Sequence, residues 1–256
     1  MTQKAISGAR TAVRNLLHLV GYDLVKFPRA ASTRSAYAPV TPFATYSPWN
    51  VDPLFLETYA VIKNSTLVDI YRCYELWTLV AQSMKVAGNI IEVGVWRGGT
   101  GALIARKAAL CGVGCQVYLC DTFSGVVKAS TNDAGYKGGE HADTSREMVE
   151  VLISDTLKLS NVAILQGIFP EETAHLIAAD QAKFRFCHID VDVYQSARDI
   201  FDWVWQRMPV GGIIVYDDYG VSGCEGITNL VNAQSEERDR VVIHNLNGHA
   251  VVVKTL

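Results

Sequence analysis

Between Asn89 and Ser235, short apolar runs of strand length alternate with amphipathic segments of helix length, and that alternation leaves few folds open to the chain. The runs are Asn89 to Val95, Gln116 to Asp121, Val162 to Gly167, Phe184 to Asp190 and Gly212 to Asp217. Helices are expected from the first run to Leu110, then over Thr144 to Leu159, Glu171 to Ala179, Tyr194 to Met208 and Glu225 to Ser235. Repeated strand–helix units build a mostly parallel sheet with helices on both faces, because each parallel crossover must pass over one face. An earlier helix is predicted from a Ser65-Thr66 cap to about Val86, on the stripe Leu67, Ile70, Tyr71, Tyr74, Leu76 and Leu79. The carboxyl end breaks the pattern. Arg240 to Leu246 and His249 to Thr255 flank Asn247-Gly248, the strongest short hairpin signal. The expected fold is therefore α/β: a doubly wound, seven-stranded Rossmann-type sheet that ends in an antiparallel hairpin.

At 256 residues the chain fits one such domain with an extension, and 49% hydrophobic residues with mean hydropathy +0.14 supply a sizeable core. The extension is residues 1–58, ahead of a domain over 59–256. Residues 3 to 20 read as a basic amphipathic helix with Val13, Leu16, Leu17 and Val20 on one side, stopping at Gly21. Five of the seven prolines fall between residues 28 and 53, which reads as an irregular arm or lid. Such a helix is expected to pack on its own domain or on a second subunit, in a homodimer or higher homo-oligomer, with peripheral contact to a membrane surface as the lesser alternative. No run nears the roughly 20 apolar residues that span a bilayer. The start lacks the pattern of a secretory signal, so the reading is cytoplasmic. The six cysteines are scattered without the paired spacing of a zinc site, which predicts reduced thiols. A net charge of −3 offers no general attraction to nucleic acid.

Asp190, Asp217 and Asp218 each end a predicted parallel strand, and parallel strands present their carboxyl ends on one edge, where open α/β sheets bind ligands. Three converging carboxylates need a compensating proton or cation, and an all-oxygen set suits Mg²⁺, or Mn²⁺ in its place. Glu92-Val-Gly94-Val-Trp-Arg-Gly98-Gly99 joins the first strand to its helix, with glycines that let the backbone approach a ligand. The spacing is not G-x-G-x-x-G, and Glu92 would repel a pyrophosphate. It suits a cationic group such as the amino group of S-adenosylmethionine. Asp121, at the end of the second strand, can accept ribose hydroxyls of any nucleoside cofactor.

Five motifs in order over Ser65 to Val231 resemble the macrocin O-methyltransferase (TylF/MycF) family. They are Glu92-Val-Gly-Val-Trp-Arg-Gly-Gly, Asp121-Thr-Phe-Ser-Gly125, Gly167-Ile-Phe-Pro-Glu-Glu-Thr173, His188-Ile-Asp190-Val-Asp192-Val-Tyr194 and Asp217-Asp218-Tyr219-Gly220. The resemblance implies a methyltransferase-type Rossmann domain that moves a methyl group from S-adenosylmethionine to a hydroxyl, with Mg²⁺ on Asp190, Asp217 and Asp218. The acceptor is a small molecule or glycan, such as a sugar on a natural product or polysaccharide. The resemblance also implies a cofactor site of Thr66, Glu92, Gly94, Val95, Trp96, Arg97, Gly98, Asp121, Ser124, Gly167, Ile168, Phe169 and Asp190. The chain departs from the family in Asp190-Val-Asp192, where relatives carry Gly between the aspartates. Asp190 is the first candidate for the base that takes the acceptor proton, and His141 of Gly138-Gly-Glu-His141 is the second. Asp192 reads as a supporting or helix-capping residue. Two rivals stand beside this reading: a metal-dependent glycosyltransferase using Asp190-Val-Asp192, and a nonenzymatic protein that keeps the fold.

Overall fold

The computed structural model describes residues 44–112 and 114–256, with 13, 16, 17, 19, 36, 37 and 40 before them. The expected helix over 3 to 20 and the stretch from 28 to 43 thus lie almost wholly outside the described residues. The chain forms two compact units, Met1–Pro42 and Phe43–Leu256, and everything below concerns the second.

Seven strands make one sheet: β1 (Asn89–Val93), β2 (Val117–Asp121), β3 (Val162–Gln166), β4 (Phe184–Ile189), β5 (Ile213–Tyr216), β6 (Arg240–His244) and β7 (Ala250–Lys254). Their order is β3-β2-β1-β4-β5-β7-β6. The first five run parallel; β7 pairs antiparallel with both β5 and β6. Every residue of β4 is buried, as a parallel strand covered on both faces requires. Winding outward from β1 goes one way through β2 and β3 and the other way through β4 and β5. A crevice therefore opens at the carboxyl ends of β1 and β4, the switch point of the sheet.

Six helices flank it: α1 (Pro53–Ile62), α2 (Ile70–Ser83), α3 (Gly99–Leu110), α4 (Arg146–Glu150, continued by a π-helical turn Val151–Thr156), α5 (Tyr194–Trp205) and α6 (Glu225–Gln234). Alternation along each strand sorts the core into two clusters. Ile90, Leu119, Phe186 and Val215 face α1, α2 and α3 through Phe55, Leu76, Trp77 and Leu103. Ile91, Cys187, Ile214 and Tyr216 face α5 and α6 through Ile200, Val204 and Val231. Burying each of these large side chains is worth about 1.5–3 kcal/mol. All six cysteines are free thiols.

Local chemistry moves several expected boundaries. Helix α2 starts at Ile70, because the carboxylate of Asp69 accepts from the amides of Tyr71 and Arg72 at 2.8 and 3.1 Å. Ser65-Thr66 is a turn ahead of it. The expected helix from Glu171 to Ala179 shrinks to a 3-10 turn, Ala174–Leu176. Its sequence buries only Thr173 and Ile177 and so has no continuous apolar stripe to hold a helix on the sheet. Position 58, the boundary expected between arm and domain, falls inside α1. Asp52 caps it by accepting from Phe55 N at 3.0 Å, and its other oxygen accepts from Trp77 Nε1 at 3.0 Å. The hairpin loop is the five residues between His244 and Ala250, longer than an Asn-Gly turn.

Candidate active site

Close packing of backbone shapes the switch-point crevice. Gly94 follows β1 at φ +89°, and a Cβ there would sit 1.6 Å from the carbonyl oxygen of Asp190, so no other residue fits. Gly98, at φ +85°, is the residue before α3. The amides of Val95 and Trp96 donate to Asp121 Oδ2 at 2.7 and 2.8 Å, and Phe123 N donates to Oδ1 at 2.7 Å. A carboxylate has about four lone-pair sites, so Asp121 shapes the turn and keeps one acceptor position for a ligand.

The turn opens on a cavity of about 290 Å³. Of the residues expected at the cofactor, Thr66, Gly94, Val95, Trp96, Asp121, Gly167, Ile168, Phe169 and Asp190 line it. Glu92, Arg97, Gly98 and Ser124 are not on its wall. Glu92 is fully buried on the α3 side of the sheet, where Oε1 lies 2.8 Å from His188 Nδ1 and Oε2 has no hydrogen-bond partner. The expected reach of Glu92 to a cofactor amino group is absent from this geometry. Arg97 turns outward to Asp143, with Nη2 donating to Oδ2 at 2.6 Å, and Gly98 packs on Val149. Ser124 is exposed.

Asp190, Asp217 and Asp218 converge at the other side of the same cavity, with ligand oxygens all within 4.8 Å of one another. Burial, and then the charges of Asp217 and Asp218, push the Asp190 carboxyl well above the usual range. Burial and the neighbouring Asp217 do the same to Asp218. Asp217 goes the other way: burial opposes its charge, but contacts from His249 and then Arg72 hold its carboxyl below the usual range. Arg72 Nη1 donates to Asp217 Oδ1 at 2.6 Å. His249 Nε2 lies 2.9 Å from that oxygen, off the line of a well-directed hydrogen bond. The cluster thus carries one carboxylate held ionised and two that need a cation or proton beside them. That is the charge state a hard divalent cation fits.

His141 lines the cavity beside Tyr136, with ring centroids 6.0 Å apart and its own backbone at φ +61°. The 126–143 loop around it is pinned to α5. Tyr194 N donates to Asp133 Oδ1 at 2.7 Å, and Ser196 Oγ donates to Val127 O at 3.0 Å. Asp133 is thus the carboxylate at the start of α5, where Asp192 was an alternative from sequence. Asp192 instead accepts from Tyr136 Oη at 2.6 Å. Tyr136 and Arg72 are wall residues that sequence reasoning missed. Arg72 reads from sequence as one more polar position on α2, and only the fold brings it to Asp217.

Known proteins agree with this architecture. The O-methyltransferase NovP is 22% identical, with a TM-score of 0.62 over 75% of this chain and 83% of its own. A Bacillus cereus O-methyltransferase solved in complex with SAH is 20% identical, with a TM-score of 0.53 over 79% and 91% of the two chains. In sequence, the chain is 25% identical over 200 residues to the 8-demethyl-8-(2,3-dimethoxy-alpha-L-rhamnosyl)-tetracenomycin-C 4'-O-methyltransferase of Streptomyces olivaceus, covering 73% of this chain and 75% of that protein. It is 25% identical over 199 residues to the mycinamicin III 3''-O-methyltransferase of Micromonospora griseorubida, covering 72% and 74%. Residues 57–246, most of the chain, match the family model for macrocin-O-methyltransferase (TylF), and the protein belongs to that family.

Proposed function

We propose that the protein moves a methyl group from S-adenosylmethionine to a hydroxyl of a sugar, on a natural product or a polysaccharide, with Mg²⁺ or Mn²⁺ held by Asp190, Asp217 and Asp218. One observation carries the reading: a single cavity joins the Gly94–Asp121 turn to the three carboxylates. The turn suits a nucleoside, with the remaining lone pair of Asp121 on a ribose hydroxyl and Gly167 to Phe169 further along the wall. The relatives support a sugar acceptor, since one is named for a rhamnosyl tetracenomycin.

Methyl transfer from a sulfonium is an in-line displacement, so the chain must hold donor carbon and acceptor oxygen close and aligned. Gly94 does this by letting the cofactor turn and the Asp190 backbone touch. Asp190, Asp217 and Asp218 would hold the divalent cation, which would supply Lewis-acid activation of the acceptor hydroxyl. Asp190 takes the acceptor proton at its carboxylate, because it belongs both to the cofactor wall and to the carboxylate cluster. His141 is the second candidate for that proton.

The glycosyltransferase alternative is not favoured: the family and the relatives are O-methyltransferases, and Asp192 is already committed to Tyr136. Association through the amino-terminal segment into a homodimer belongs to the same proposal. The test is a methyl-transfer assay on sugar and phenol acceptors with labelled S-adenosylmethionine, run with Mg²⁺ and with chelator. Transfer to a sugar hydroxyl that stops in chelator is the expected result, and full turnover in chelator would refute the metal assignment.

A further inference from the structure

The loop between β6 and β7 reaches back under the candidate metal site. Three of its residues converge on Glu75 of α2. Asn245 Nδ2 donates to Oε1, Asn247 Nδ2 donates to Oε2 at 2.9 Å, and His249 Nδ1 lies 2.9 Å from Oε2. The other ring nitrogen of His249 lies 2.9 Å from Asp217 Oδ1, the oxygen that also accepts from Arg72. His249 is 0% exposed and Asp217 5%. The two ring nitrogens of His249 thus each face a carboxylate oxygen, and the buried ring bridges Glu75 to Asp217. The loop backbone joins in: Tyr219 N, next to Asp218, donates to Gly248 O at 2.9 Å. Gly248 itself, at φ +103°, lies against the Arg72 side chain.

We propose that Glu75 and His249 are positioning residues for Asp217. Glu75, tied to the loop by two asparagines, orients the His249 ring. His249 together with Arg72 then holds Asp217 by Oδ1, which leaves Oδ2 as the oxygen open to a cation. The hairpin loop and α2 thereby become part of the metal site without touching the metal. Groups that orient metal ligands in this way matter because a carboxylate free to rotate must be ordered again each time the ion binds. This inference rests on the reading of Asp190, Asp217 and Asp218 as a divalent-cation site.

The experiment is Mn²⁺ binding to the full-length protein, followed by electron paramagnetic resonance, in wild type, His249→Ala, His249→Gln and Glu75→Gln. SAH affinity, measured by calorimetry on the same samples, reports on the other side of the cavity. His249→Ala and Glu75→Gln should weaken Mn²⁺ binding about 10- to 100-fold. His249→Gln keeps a donor toward Asp217 and should recover most of that loss, and SAH affinity should hold at the wild-type value throughout. Wild-type Mn²⁺ affinity in a folded His249→Ala protein overturns the proposal. So does a His249→Gln protein as weak as His249→Ala, since the donor would then not be what matters. Should His249→Ala misfold and lose both ligands, the isosteric Glu75→Gln decides, and unchanged Mn²⁺ affinity there overturns it equally. A wild-type protein that binds SAH but no Mn²⁺ removes the metal reading itself, and the positioning role with it.

Discussion

At the scale of single residues, the three clustered aspartates differ in what each does to the fold. The carboxyl pKa of Asp190 is raised in the folded protein, so its ionised form is penalised there. In metal-free protein the contribution of Asp190 to stability is therefore fullest below the unfolded value of about 3.9 and is lost as pH rises toward the folded value. Asp190→Asn should raise the melting temperature in chelator at pH 8, and the gain should vanish near pH 4. A gain that persists unchanged at pH 4 would show that charge is not the cause. Asp217 has the opposite sign: Asp217→Ala strips Arg72 and His249 of a buried partner and should cost about 3 kcal/mol, read by denaturant unfolding. Asp121→Ala removes the acceptor of three backbone amides as well as the ribose contact. It should weaken SAH binding by at least about 1.5–3 kcal/mol in calorimetry. Unchanged affinity would sink its role.

At the scale of elements, the site depends on where helices begin. Asp69 caps α2 and also accepts from Arg72 Nε at 2.8 Å, so one carboxylate sets the start of the helix and aims the guanidinium at Asp217. Asp69→Ala should cost about 0.5–2 kcal/mol of stability by loss of the cap. Mn²⁺ affinity should fall as well, because Arg72 loses its brace. A variant with lowered stability and wild-type Mn²⁺ affinity would confine Asp69 to capping. The cap was misplaced from sequence because Ser65-Thr66 and Asp69 are both good cap chemistry. Packing of Ser65 against Gly99, whose amide donates to Ser65 O at 2.9 Å, decides for Asp69. The hairpin is parallel to this case. Asn247-Gly248 correctly announced a reversal, but the loop is longer because Asn245, Asn247 and His249 are drawn to Glu75.

At the scale of the whole molecule, every residue on the cavity wall lies at or beyond Ser65. Deleting residues 1–40 should therefore leave SAH affinity intact while lowering oligomer size or acceptor turnover, checked by light scattering and a methyl-transfer assay. If both match the full-length protein, the proposed role of the amino-terminal segment in assembly is wrong.

The sequence by itself determined the sheet, its direction and the chemistry at its edge. Strand and helix periods are local properties, and a parallel strand that ends in Asp190 or Asp217 puts that carboxylate at the switch point whatever the details of packing. Gly94 was legible for the same reason, since a backbone turn that tight admits no side chain. Tertiary structure decided which acids face the cavity and which are buried beneath it. Glu92 and Asp121 share one face of the sheet, but Glu92 lies one residue inside the end of β1, buried against His188, while Asp121 is the last residue of β2 and reaches the turn amides. It also decided that Asp217 alone would be held ionised, because Arg72 and His249 lie far from it in sequence and meet it only where α2 and the last hairpin close over the end of β5. Contacts of that kind leave no periodic trace in a chain, and they set the charge of the site.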